Sequence, residues 1–300
     1  MNTEKSYNFT VSDEGIRLDK YISEICPELT RTQAQKLIND GFITVNRLTA
    51  KASLKLSEGD SIEVFIPPPS PSTLSPEEIP LKIIFEDNDV LVIDKSAGLT
   101  VHPAPGHPDG TLVNAILHHF PRLTDIGDSL RPGIVHRLDK DTSGVMVIAK
   151  NSMTQANLSN QFATRVVKKT YLTLVKGHLA PEHGIIEASL GRDPSNRKKM
   201  AVVTKGREAK TEYKVVRYIR NYTLLKIKPE TGRTHQIRVH LAAIGFPVAG
   251  DTTYGVKSPF LSRQFLHACK LAFKLPSTGE QVEFEAELPH DLEQALENIV

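Results

Sequence analysis

Two aspartates, Asp139 and Asp141, stand in a short charged insert, His136-Arg137-Leu138-Asp139-Lys140-Asp141-Thr142-Ser143-Gly144, between apolar runs at residues 133–138 and 145–149. Both runs are rich in the β-branched residues that strands prefer, so the carboxylates fall at a strand end. If 133–138 is extended, period-two alternation puts Val135, Arg137 and Asp139 on one face and Ile134, His136 and Leu138 on the other. An arginine and an aspartate then project together where Thr142-Ser143-Gly144 turns the chain. An unperturbed aspartate ionises near pH ~3.9, so at neutral pH it is an anion able to act as nucleophile or base without an activating partner. Burial would oppose that charge, and a nearby guanidinium would restore it.

Other chemistries fit the sequence less well. Gly106, Gly110 and Gly144 are scattered, without Walker or dinucleotide-binding spacing, so no nucleotide cofactor is expected. The eleven histidines form no His-Glu-x-x-His or Cys/His ligand set, and no metal is expected. His235 and His240 are five apart, so on a helix they do not share a face as an i,i+4 pair would.

The elements that must position the insert are read from composition and pattern. At 300 residues with 39% apolar side chains, the chain can bury a sizeable core in one large domain or in a large and a small one. Residues 1–15 are polar and no long apolar stretch occurs, so neither export nor membrane insertion is expected. Only Cys26 and Cys269 are present, which excludes a disulfide framework and suits a cytoplasmic setting. The net charge of +2 conceals an asymmetry: residues 161–240 hold 18 Lys and Arg against 6 Asp and Glu, a balance of +12, leaving −10 elsewhere. Such a segment suits a polyanionic partner, because phosphate neutralisation dominates non-specific nucleic-acid binding.

Residues 15–66 read as a small domain. Leu18, Tyr21, Ile22 and Ile25 fall at helical spacing, Thr30-Arg31-Thr32-Gln33 has the form of a capping box, and 42–46 and 61–66 read as strands. A Pro/Ser-rich run over 67–80 reads as a linker, which leaves 81–300 as the larger domain. There, strands are expected at 81–86 and 90–94 around the turn Asp87-Asn88-Asp89, then at 170–177, 187–191, 211–219, 223–228, 265–275 and 281–288, the last before an acidic tail. Helices are expected at 111–119 and 152–164, and after Thr234 as cap, where Ile237, Leu241 and Ile244 make an apolar stripe. Strands that mostly follow one another argue for an α+β fold with a largely antiparallel, mixed sheet.

Three resemblances arise at this point. Asp139-Lys140-Asp141-Thr142 matches the Asp-x-Asp-x-Thr signature of haloacid-dehalogenase-like phosphohydrolases, but that family needs an unbroken apolar strand before the first aspartate, and His136 and Arg137 interrupt it. Arg17-Leu18-Asp19-Lys20-Tyr21, Thr30-Arg31, Ala34 and Gly41-Phe42-Ile43-Thr44-Val45-Asn46 resemble the small RNA-binding domain first described in the fourth small-subunit ribosomal protein. Residues 1–66 carry 8 basic and 10 acidic side chains, so RNA contact there would fall to a few placed cations such as Arg31, Lys36 and Lys51.

The broadest resemblance is to the RluA-type pseudouridine synthases. It is carried by His136-Arg137-Leu138-Asp139 with Thr142-Ser143-Gly144, by Asp94-Lys95-Ser96-Ala97-Gly98 with His102-Pro103 upstream, by Lys169-Thr170-Tyr171-Leu172, and by Gly232-Arg233-Thr234-His235-Gln236-Ile237-Arg238-Val239-His240 with Gly250-Asp251 and Tyr254-Gly255. Within the family the chain is most similar to the synthases of large-subunit ribosomal RNA. One departure is Ser96, where the family usually has proline. The resemblance implies isomerisation of uridine to pseudouridine in RNA, without metal or cofactor, in the cytoplasm. It implies Asp139 as nucleophile or base, Arg238 as its counter-ion, and Tyr171 against the target base, where it could assist proton removal from C5. Arg137 would fill the gap left by the flipped base; His136, Arg233 and His235 would also contact RNA, with Arg31 and Lys36 in the small domain. The partner expected is ribosomal RNA, free or within a pre-ribosomal particle. Attack at C6 of the base, attack at C1′ of the sugar and elimination through a glycal all remain open, since all use the same aspartate. The rival reading is an RNA-binding assembly factor that keeps the fold without catalysis. Asp141 reads as a turn residue.

Overall fold

Local signals set the first elements of the chain. The computed structural model describes residues 5–67, 74–103, 108–121, 123, 131–255 and 257–299, in two compact units, Met1–Pro71 and Ser72–Val300. In the smaller unit Thr30 and Gln33 form the capping box their spacing predicts and open α2 (Arg31–Asn39), which packs on α1 (Leu18–Ile25). Four antiparallel strands complete it, β1 (Lys5–Thr10), β2 (Ile43–Val45), β3 (Leu48–Thr49) and β4 (Ser61–Ile66), in the order β1-β4-β2-β3. Leu18, Ile22, Ala34, Ile38, Ile43 and Ile62 form its core. The sequence reading misses β1, whose only apolar side chains, Tyr7 and Phe9, are partly buried against that core.

The larger unit is built on a mixed sheet in which β5 (Lys82–Glu86), β6 (Val90–Lys95), β7 (Ser143–Ala149), β14 (Leu266–Lys274), β8 (Lys168–Lys176), β13 (Tyr222–Pro229), β12 (Lys210–Ile219) and β9 (His183–Glu187) are neighbours in that order. A ninth strand, β15 (Gln281–Glu285), pairs with β14. Among the described strands of this sheet, β7 and β14 alone form a parallel pair. Strand β7 is buried along its whole length because both its faces are covered. Met146 and Ile148 pack with Leu112, Val113 and Ile116 of α3 (Leu112–His119), while Val145 and Val147 pack with Leu158 of α4 (Ser152–Ala163). Further along the sheet, Val175 joins Ile237 and Leu241 of α5 (Gln236–Ala243), and Leu174 joins Leu292, Ala295 and Ile299 of α6 (His290–Ile299). Among the described residues no helix is long and apolar enough to cross a membrane.

Four expectations are corrected. Residues 133–138 form no strand; a single bridge, Ile134 to Ile148, ties them to β7, so Arg137 and Asp139 are not two teeth of one pleat. Thr234 does not cap α5: the cap position is His235, in the left-handed region at φ 55°, and Ile244 lies beyond the helix, 38% exposed. The strand expected at 187–191 is split between β9 and β10 (Leu190–Arg192), and β10 pairs with β11 (Met200–Val202) across the basic loop. The acidic tail is α6, whose Leu292, Ala295 and Ile299 recur at helical spacing. Residues 68–73 of the expected linker lie outside the described residues.

Gly144 enables the approach of β7 to β14. Its φ is +120°, and a Cβ there would meet the Ala268 carbonyl oxygen well inside contact distance. Gly144→Ala is therefore expected to lower stability by more than about 3 kcal/mol. Gly279→Ala, at φ +73° with open space around the new carbon, should cost only about 1–2 kcal/mol. Thermal unfolding of the two variants measures the difference; equal losses would show that the approach to Ala268 is not limiting.

Candidate active site

Asp139 sits on a tight turn that runs straight into β7. Thr142 N–H donates to the Asp139 carbonyl at 3.1 Å, closing the turn. The next carbonyl, that of Lys140, accepts from Gly98 N–H at 3.0 Å and from Lys95 Nζ at 3.0 Å. Lys95 is 1% exposed, and its Nζ also donates to the carbonyls of Ser96 and Leu99 at 2.8 and 2.9 Å. Burial pulls its pKa down to about 7. Three carbonyl partners nonetheless require three N–H donors, which only the ammonium has. The segment that departs from the family pattern at Ser96 thus grips the residue after Asp139 through the two groups that flank the departure.

Arg238 reaches the same point from α5. Its NH1 is 3.0 Å from Asp139 Oδ2, while Nε and NH2 form a bidentate pair with Asp251 at 2.7 and 2.9 Å. Asp251 is fully buried, and the Asp139 side chain is 18% exposed. Burial works against the charge on Arg238, yet the two carboxylates outweigh it and raise its pKa. Burial likewise pushes Asp251 up, but the Arg238 pair and the N–H groups of Thr253 and Tyr254 prevail and hold it below the usual carboxylate range. The second carboxylate of the site is therefore Asp251; Asp141 does not contact Arg238 among the bonds of that guanidinium.

The start of α5 is fixed by Gln236 instead of a capping hydroxyl. Its Oε1 accepts from Arg233 N–H at 2.9 Å and from the Thr231 hydroxyl at 2.7 Å, and its Nε2 donates to the Lys210 carbonyl and to Thr211 Oγ1. This holds His235 in its left-handed conformation with Nε2 4.0 Å from Asp139 Oδ1 and Nδ1 2.8 Å from the Tyr254 hydroxyl. Burial lowers the His235 pKa against the opposing pull of Asp139. The Tyr254 ring lies 5.1 Å from the Arg238 guanidinium and closes that side of the site.

Arg137, His136, Asp139, Tyr171, Arg233, His235 and Arg238 all line one cavity of about 400 Å³. Tyr171 packs on both the α3 and the α5 clusters, and burial first, then Asp139, raises the pKa of its phenol, which stays protonated. His136 is neutral: burial, then Lys169, lowers its pKa to about 3. Its Nε2 accepts from Val147 N–H at 3.0 Å and its ring stacks on Phe162 at 4.6 Å, so it braces the wall and offers no positive charge. Arg137 is exposed, and Arg233 Nε donates to the Glu208 carbonyl at 3.1 Å.

Arg31 and Lys36 belong to the smaller unit. Lys36 is exposed, and Arg31 shares the buried Asp19 with Arg17 and Gln35 at 2.6–3.1 Å. These bonds, that of Arg17 foremost, hold Asp19 far below the usual carboxylate range. One carboxylate between two arginines leaves a net positive charge at that surface. Sequence reasoning gave no role to Asp19, Lys95, Asp251 or Tyr254. Their signal was membership of the quoted motifs, since no local period ties Asp251 to Arg238 thirteen residues away. Among the described residues no cluster of three His, Cys, Asp or Glu could hold a metal ion.

Comparison with known proteins finds two family models in the chain. A model of the RNA pseudouridylate synthase family matches residues 89–243 and one of the S4 domain matches residues 16–62. An uncharacterized RNA pseudouridine synthase of Aquifex aeolicus is 45% identical, covering 96% of this chain and 95% of its own. The ribosomal large subunit pseudouridine synthases D of Zymomonas mobilis and Nitrosomonas europaea are 41% and 42% identical, over 95% and 99% of this chain and 94% and 88% of theirs. Among solved structures, human RNA pseudouridylate synthase domain containing 1 superposes with a TM-score of 0.58 at 29% identity, covering 77% of this chain and 90% of its own.

The two carboxylates on Arg238 differ in what they support. Asp251→Asn leaves a buried guanidinium with one partner and is expected to cost about 3–5 kcal/mol, whereas Asp139→Asn keeps the bidentate pair and should cost less than about 2 kcal/mol. Because the pKa of Asp251 is depressed, its stabilisation is present above pH ~4 and is lost as pH falls through the folded value. Urea unfolding should therefore show the gap between wild type and Asp251→Asn closing in acid; a gap that is independent of pH would refute the linkage.

Proposed function

Since the chain belongs to the RNA pseudouridylate synthase family, we propose that it isomerises uridines in large-subunit ribosomal RNA with Asp139 as the reacting carboxylate. The substrate is drawn from the relatives named as ribosomal large subunit synthases. The observation that carries the catalytic assignment is the 3.0 Å pair between Arg238 and Asp139 Oδ2, set in a cavity with Tyr171. Arg238 occupies one carboxylate oxygen and leaves Oδ1 for the substrate.

In the proposed reaction the C1′–N1 bond breaks and a C1′–C5 bond forms, C5 gives up a proton, and N1 gains one. The product is an isomer, so the balance calls for no external oxidant or reductant. The target base must first leave its stack, at a cost of a few kcal/mol, and stacking on Tyr171 would return roughly 1–3 kcal/mol. Because the Tyr171 phenol stays protonated, its part in removing the C5 proton would be that of a relay passing its own proton on. Arg137, exposed on the cavity wall, would fill the gap in the RNA. Arg233 and His235 border the entering nucleotide, and His136, braced on Phe162, forms a neutral part of the wall. The reading extends to a cytoplasmic protein acting on RNA, or on a pre-ribosomal particle that carries it.

The smaller unit, by its match to the S4 domain, is the second RNA contact in this reading, with Arg17, Arg31 and Lys36 as its cations. Asp139→Asn should abolish tritium release from C5-labelled uridine in ribosomal RNA while RNA affinity changes less than about twofold. Retained release would sink the assignment of Asp139, and RNA binding without new pseudouridine in the wild type would favour the assembly-factor reading. Lys36→Ala should weaken RNA binding uniformly across sequences and lower the log–log salt slope by about 0.7–0.9. An unchanged slope would remove Lys36 from the interface.

A further inference from the structure

The turn that carries Asp139 is held by a second buried cation, on the side away from Lys95 in sequence. Arg263 is 8% exposed. Its NH1 donates to the Asp141 carbonyl at 3.0 Å and its NH2 to Ser143 Oγ at 3.3 Å. Nε and NH2 meet Asp291 Oδ2 and Oδ1 at 2.6 and 3.0 Å, a bidentate pair. Asp291 lies in the first turn of α6, where a carboxylate complements the helix dipole.

The hydroxyl of Ser143 extends this network in one direction. His267 Nε2 lies 3.1 Å from the Ala286 carbonyl, which can only accept, so that nitrogen carries the ring proton. Nδ1 of His267 then accepts from Ser143 Oγ at 3.0 Å, and Ser143 accepts from Arg263. The arrangement resembles a serine nucleophile beside its base, but Ser143 is 2% exposed and His267 fully buried, so no substrate reaches the pair. Its effect is to fix the exit of the turn.

The main chain of Arg263 also touches the other half of the site. A Cβ at Gly250, which has φ +74°, would meet the Arg263 carbonyl oxygen well inside contact distance. Gly250 precedes Asp251, the anchor of Arg238. One residue therefore bears on both members of the Asp139–Arg238 pair, through its side chain on one and its backbone on the other. Both Arg263 and Asp291 lie beyond residues 89–243, the span matched by the synthase family model.

We propose that Arg263, locked by Asp291, is a positioning residue that sets the approach of Asp139 to Arg238, so that docking of α6 governs the catalytic rate. The inference rests on the function proposed above. Asp291 is half-exposed, so its substitution leaves the apolar face of α6 intact. Asp291→Asn should slow single-turnover pseudouridine formation about tenfold with the Kd for RNA unchanged within twofold, and Asp291→Glu should recover most of the rate. Arg263→Lys should show the same split, since one ammonium cannot make the fork, and adding Asp291→Asn to it should slow the reaction no further. A crystal structure of Asp291→Asn should show the Asp141 carbonyl displaced and the Asp139–Arg238 distance lengthened. A wild-type rate in Asp291→Asn, or a rate loss matched by loss of RNA affinity or of folded protein at the assay temperature, would overturn the proposal. If the wild type forms no pseudouridine the proposed function fails instead, and the distance in the variant structure still decides whether the clasp positions the pair.

Discussion

A buried guanidinium between two carboxylates is the constraint on which the larger unit depends. Removing Arg238 from water is costly, and the cost is offset only because Asp251 takes two of its donors and Asp139 a third. The same charge type then serves two ends. Asp251, fully buried, has its oxygens occupied by Arg238 and by the N–H groups of Thr253 and Tyr254, and it anchors the arginine. Asp139, partly open to a cavity, keeps one oxygen free of Arg238.

Holding these groups together demands close backbone contact at several places, and glycine supplies it. Gly144 lets β7 run against Ala268 of β14, and Gly250 lets the Asp251 loop lie on Arg263. The turn between them is gripped through its carbonyls, Lys140 by Lys95 and Asp141 by Arg263. Buried cations on successive carbonyls fix a loop more firmly than its own single closing hydrogen bond could, because charge-assisted bonds are roughly twice as strong. The rigid sheet thus extends its order into a segment with no regular structure of its own.

Elements with strong local signals were legible in the sequence: the capping box at Thr30, the helix over 111–119, the Asp87 turn, and the long strands β8, β12, β13 and β14. Residues 133–138 misled because β-branched side chains suit any half-buried extended path. On the edge of β7 that faces them they make one bridge, and the Val147 N–H that could extend a ladder is taken by the His136 ring instead. The helix α6 was hidden by its acidic composition, although Leu292, Ala295 and Ile299 carry its register. Of the site, Asp139 and Arg137 stood out by chemistry, while Arg238, 99 residues away, entered through the resemblance alone. Asp251 and Arg263 were silent because their roles arise from contacts between distant segments, which no local pattern encodes.

Charge sorts what can enter the cavity. With His235 and His136 neutral, Asp139, Asp251 and Arg238 sum to −1, a field that repels phosphate from the Asp139 carboxylate. Arg137, Arg165, Lys169 and Arg233, on the same cavity, carry the opposite sign, and Lys169 is only partly buried, with one hydrogen bond, to the Thr231 carbonyl at 3.3 Å. On the function proposed above, a neutral uracil can pass to Asp139 while its flanking phosphates are retained by these cations. The separation also explains how a chain with a net charge of only +2 could engage a polyanion. The sum over the chain is immaterial; what matters is the local arrangement, in which Arg137, Arg165, Lys169 and Arg233 outnumber Asp139 and Glu230 on the cavity wall while Asp251 stays buried behind Arg238.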